Sequence, residues 1–182
     1  MAQPLALFPA LIDAADWRRL HPAVQRMHAE GTTIEASGRA DVRGATHASA
    51  RWARRLLTLP EPGDAQAISL TIERHATQER WTRRFARGRM QSTLRQGSDL
   101  RLLERLGPVT LHFSLLRDGD AIDWQLRHVR LLGVPLPRAW FGTVFSRSGA
   151  RDGRYAFDID VQLPLLGQLI AYRGWLEIDH VQ

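Results

Sequence analysis

The chain has 182 residues and a mass of 20.6 kDa, which is enough for one domain with a sizeable core. Its 44% hydrophobic and 24% charged residues argue against disorder, and no apolar run approaches the roughly 20 residues needed to span a bilayer. The net charge of +6 is carried by arginine alone, and the lack of both lysine and cysteine excludes Schiff-base chemistry, a P-loop lysine, disulfides and thiolate sites.

In chain order, Asp13 or Asp16 is placed to cap a short helix carrying Trp17 and Leu20. Pro22 suits the first turn of a second helix, HPAVQRMHAEG, which Gly31 stops. IEASGRADV alternates as a strand, with Ile34, Ala36, Gly38, Ala40 and Val42 on one low face. Thr46 can cap a helix through Leu57 whose stripe of Ala48, Trp52, Leu56 and Leu59 is expected to be buried. Strands then follow in AISLTIERH, QERWTRRFA and RMQSTLR, the last two joined at Arg87-Gly88. DLRLLERLGP is an acidic and basic stretch to which no strand is assigned. VTLHFSLL and AIDWQLRHVRLL are strands around a turn at Arg117 to Asp120, and LGVPLPRAWFG is a loop. Strands in TVFSRSG, YAFDIDVQL and LIAYRGWLEI close the chain.

This succession predicts an α+β, β-rich fold over residues 1–182 as a single domain. The expected architecture is a strongly curled antiparallel meander or barrel-like sheet with two to three N-terminal helices packed on it. Regular strand-helix alternation is missing, which argues against a parallel dinucleotide-binding fold. The N-terminus lacks the basic region and cleavage site of a secretory signal, and the absence of cysteine fits a cytoplasmic location. Arginines interleave with carboxylates and no recognition motif accompanies them, so nucleic acid is not an expected partner. Peripheral contact with anionic lipid stays open.

Five stretches, taken in order, carry a resemblance: RLHPAVQRMHAEG, ERWTRRFARGRMQS, HVRLLGVPLPRAW, DGRYAFDIDVQLPLLG and YRGWLEI. Together they resemble the bacterial domain-of-unknown-function family 4166 over nearly the whole chain. The resemblance implies that Trp81, Arg83, Phe85, Arg89, Arg130, Tyr172, Arg173, Gly174 and Trp175 occupy motif positions. It transfers no catalytic residues. In that family the domain often follows a saccharopine-dehydrogenase-like oxidoreductase region, which implies an oxidoreductase partner protein. His128 stands where relatives usually carry tryptophan.

Arg83 lies between Trp81 and Phe85 on a face that should be core, and a lone buried charge there costs several kcal/mol. It must meet a carboxylate (Glu79, Glu104, Asp158 or Glu177), snorkel to water, or hold a ligand. Two other strands raise the same question: Trp124 is followed by His128 and Arg130, and Tyr172 and Arg173 precede Trp175. Together Arg83, Arg130, Arg173, Tyr172, Trp81, His128 and Trp124 form a candidate rim for a small apolar or anionic amphipathic ligand in a sheet cavity. The seven histidines show no metal spacing, so no metal and no cofactor is expected. The leading expectation is a non-catalytic binding or accessory module. Its alternatives are a cavity enzyme of isomerase or cyclase type, in which Tyr172, His128 or Asp158 moves a proton, and a subunit of a separate oxidoreductase.

Overall fold

The structure, a computed structural model, describes residues 6–29, 31–44, 47–164 and 167–182. It begins with three short helices, α1 (Leu7–Leu11), α2 (Ala14–Trp17) and α3 (Pro22–Ala29). Asp13 caps α2 by accepting from Ala15 N at 2.8 Å, and Gly31 ends the segment after α3 at φ +64°. Then come β1 (Thr33–Arg43), α4 (Ala48–Leu56), β2 (Gly63–Arg74), β3 (Gln78–Phe85), β4 (Gly88–Gln96), β5 (Leu102–Leu106) and β6 (Val109–Asp118). The rest is β7 (Ala121–Leu131), the two-residue β8 (Val134–Pro135), α5 (Arg138–Phe141), β9 (Thr143–Arg151), β10 (Arg154–Leu163) and β11 (Gly167–Val181).

Among the described residues, ten strands form a closed circuit. Each of β1 to β7 pairs antiparallel with the next, β7 with β9, β9 with β10, β10 with β11, and β11 back with β1. The result is an up-and-down barrel, so among the described residues the sheet has little free edge to protect. Side chains alternate between interior and solvent along most of the strand length, which is why much of the period-2 pattern of the sequence translates into a core. The closing pair β1–β11 approaches closely. A Cβ on Gly174 would fall against Arg39 O, the Ala40 backbone and the Phe157 ring, so glycine is required where these strands meet.

LLERL, within the stretch to which no strand is assigned from sequence, forms β5. Leu102 and Glu104 point inward, β4 and β6 flank it on both sides, and this pairing overrides a helix-favouring composition. Without β5 the circuit would not close.

The two ends of the barrel differ. At the end where β1 begins, α1 and α3 plug the opening. Phe8, fully buried, stacks on His28 at 3.8 Å and meets Trp81 and Trp124 at 5.9 and 5.3 Å. A buried ion pair fastens this plug. Arg74 Nε donates to Glu79 Oε1 at 3.1 Å, and its other nitrogens donate to Gly31 O at 3.0 Å and Met27 O at 3.2 Å, satisfying carbonyls in the last turn of α3 and just beyond it. Glu79 also accepts from Leu7 N at 3.2 Å and from Trp81 Nε1 at 2.9 Å.

At the opposite end lie α4, α5 and the β3–β4, β5–β6 and β7–β8 turns. The proposed cap Thr46 falls outside the described residues; His47 accepts from Ala50 N at 3.4 Å. The stripe expected to be buried on α4 is exposed, with Trp52 at 68% and Leu56 at 53%. The helix instead buries its opposite side, Ala50 and Arg54, while Trp52 and Leu56 border the open end of the barrel. The barrel wall also parts at this end: the pairing of β7 with β9 is limited to Ile122↔Ser148 and Asp123↔Arg147 among the described residues, both near the plugged end.

Candidate functional site

The interior of the barrel is not solidly packed. A cavity of about 350 Å³ lies between the plug and the open end, bounded by Leu70, Met90, Leu111, Phe113, Phe157 and Ile159 among other apolar side chains. Its size is that of a pocket for a small molecule. Walls of this kind arise because every second residue of ten strands points inward, while a barrel this wide is not filled by its own side chains.

Arg83 answers the question its position raised. It points into the cavity from β3, 8% exposed, with its guanidinium carbon 4.9 Å from the centre of the Trp81 ring. One terminal nitrogen donates to Ser92 Oγ on β4 at 3.1 Å, and the other lies 3.6 Å from Glu104 Oε1 on β5. The register explains the grouping, since Arg83 pairs with Met90 two residues from Ser92, and Leu94 pairs with Glu104. The ion pair is long and single-pronged, so the five N–H donors of the guanidinium are incompletely used by these contacts. Tyr172 on β11 faces the same cavity; burial raises its phenol pKa, offset in part by the positive field of Arg83 and reinforced by Glu104. A polar spot of Arg83, Glu104, Ser92 and Tyr172 thus sits on an apolar wall.

A second polar line runs from the cavity to the plug. Trp124 Nε1 donates to Ser148 Oγ at 3.1 Å, Ser148 Oγ lies 2.9 Å from the Tyr155 hydroxyl, and that hydroxyl is 3.4 Å from His28 Nε2. Burial pushes the Tyr155 phenol up to about 12. Burial, and next the charge of Arg74, hold His28 well below the ordinary histidine value, so its ring is neutral. Its Nδ1 has no hydrogen-bond partner among the described residues.

Of the residues the sequence singled out, Arg83, Tyr172, Trp81 and Trp124 line the cavity. Arg130, Arg173 and His128 do not: all three are exposed on the outer face. For His128 and Arg130 the reason is a register shift opposite His112/Phe113, where Phe113 pairs with Leu126 but His112 with His128. The extra residue reverses the alternation, so Val129 replaces His128 on the inner face. Arg173 simply alternates with Tyr172 and Gly174. Asp158 is likewise exposed, so the three groups considered for proton transfer do not gather at the cavity. Sequence reasoning passed over Ser92, Ser146 and Ser148, small hydroxyls at inward positions between apolar neighbours; that placement was the available signal. Among the described residues no three histidines or carboxylates are placed to hold a metal ion, and no helix is long and apolar enough to cross a membrane.

Fold and site together define a class: a closed up-and-down β-barrel, plugged by helices at one end, with an apolar cavity marked by one charged pair. The sequence model of the family described as "Domain of unknown function (DUF4166)" matches residues 20–176, and the chain belongs to that family. No curated protein matches the chain.

Proposed function

We infer that the barrel is a binding module for a small apolar or amphipathic ligand. The tail lies along Leu111, Phe113, Phe157 and Ile159, and the polar head meets Arg83. The observation that carries this reading is the placement of Arg83, Glu104 and Tyr172 together on the wall of an otherwise apolar cavity. A core that served only stability would gain from filling that volume with methylene groups, and a buried ion pair is weak support for stability alone. An acidic head competes with Glu104 for the guanidinium, while an alcohol or protonated acid engages both partners at once.

Titration calorimetry with decanoate and with decanol tests the reading. The wild type is expected to take up one equivalent of at least one of them, and Arg83→Met to weaken binding about tenfold or more through loss of a charge-assisted contact. Wild-type protein that binds neither compound, or Arg83→Met binding both unchanged, removes Arg83 from any site.

A further inference from the structure

The open end of the barrel carries a surface that the cavity does not account for. On α4 the side opposite Ala50 and Arg54 presents Trp52 and Leu56, one turn apart and both exposed. At the same end stand Leu132, 79% exposed, Val134 at 64% and Trp140 at 70%, from the β7–β8 hairpin and α5. Trp52, Leu56 and Trp140 also touch the cavity, so this patch is its rim. Leu132 is held at φ +51° beside Gly133 at +86°, a hairpin turn in which asparagine or aspartate is the favoured first residue. Leucine there adds backbone strain and exposed apolar area without entering the core.

Two segments of the rim carry positive charge alone, while Glu61 in the α4–β2 connection and Asp64 at the start of β2 are exposed carboxylates at the same end. From Val42 to Pro60 the chain has Arg43, Arg51, Arg54 and Arg55 and neither aspartate nor glutamate. From Trp124 to Arg151 it has Arg127, Arg130, Arg138, Arg147 and Arg151, again without a carboxylate. Arg51, Arg55, Arg130 and Arg138 are exposed close to the apolar side chains just named. Arg130 was expected inside the cavity; its place on the outer face beside the mouth gives it this second setting.

We propose that the rim docks on an anionic lipid surface. Trp52, Leu56, Leu132 and Trp140 enter the headgroup boundary, and Arg51, Arg55, Arg130 and Arg138 meet lipid phosphates. Tryptophan and leucine flanked by guanidinium groups on short surface helices match that boundary, where one side of the surface is apolar and the other wet and negative. The seam between β7 and β9 opens at the same end, so an apolar ligand passes between bilayer and barrel without crossing water. That last step rests on the ligand reading above; the docking does not.

Co-sedimentation of the full chain with vesicles tests the proposal, using phosphatidylcholine alone and phosphatidylcholine mixed with phosphatidylglycerol, each at low and high salt. The wild type is expected to sediment with the anionic vesicles and to release as salt rises. Arg51→Gln should weaken binding about fivefold, and the double variant Trp52→Ser, Trp140→Ser about tenfold or more. Both variants should keep the wild-type melting temperature, which establishes that they fold. Failure to bind anionic vesicles, or binding unchanged in both variants, overturns the proposal. So does a wild-type dimer that the tryptophan variant dissolves, since the rim would then belong to a second copy of the chain. Ligand uptake is measured separately in lipid-free solution, so failure at the rim and failure at the cavity are told apart.

Discussion

The plugged end and the open end of this barrel are built from the same kinds of residue and arrive at opposite solutions. At the plugged end Trp81, Phe8 and His28 stack out of solvent, and Arg74 is surrounded by a carboxylate and carbonyl acceptors. At the open end Trp52 and Trp140 face solvent and Arg51 and Arg55 are exposed. A domain that needed only to be stable would treat both ends like the first. The contrast places structural duty at one end and the proposed docking surface at the other.

The largest effect on stability should come from breaking the plug. Arg74→Met leaves Glu79 buried at 1% exposure without its cation, and the expected cost is about 3 to 5 kcal/mol by chemical denaturation. A loss below about 1 kcal/mol would mean that the pair is not the fastening described here. Arg83→Met should cost less, about 1 to 3 kcal/mol, because Glu104 is one-tenth exposed and its contact with Arg83 is longer.

The two tyrosines sharpen the comparison by pH. The chain has no lysine or cysteine, so Tyr155 and Tyr172 are its titrating side chains near pH 10. Both are raised in the folded state, Tyr155 to about 12, so the unfolded chain loses those protons first. Between pH 7 and pH 10 stability should be level, and it should fall by roughly 2 to 3 kcal/mol from Tyr155 alone as pH rises through 12. Tyr155→Phe should flatten that fall in pH-resolved denaturation curves. His28 acts with the opposite sign: its lowered value means the unfolded chain gains a proton first, and stability should decline as pH drops below 6.5. The smallest effect belongs to the rim, where Trp52→Ser should shift stability by less than about 0.5 kcal/mol, because that ring leaves no core contact behind.

How far the sequence reveals this molecule depends on whether its signals are local. Tyr155, Phe157, Ile159 and Val161 alternate without interruption, and the strand they define forms over Arg154–Leu163. Arg83 announced itself because a charge between Trp81 and Phe85 violates the same alternation. Arg130 and His128 misled because one extra residue in β7 reverses the faces, and a bulge leaves no trace in composition. LLERL gave no strand signal because its inward carboxylate is satisfied by Arg83, distant in the chain. Trp52 and Leu56 form a stripe that periodicity detects correctly. Periodicity does not say whether such a stripe meets a core or the mouth of a cavity.

The most direct test of the cavity is titration calorimetry with decanol on the wild type and on Ile159→Trp, a substitution that fills the space from its own wall. The account predicts one-site binding in the wild type and none in the filled variant, with both proteins folded. Equal binding by the two proteins would contradict it, as would absence of binding in the wild type.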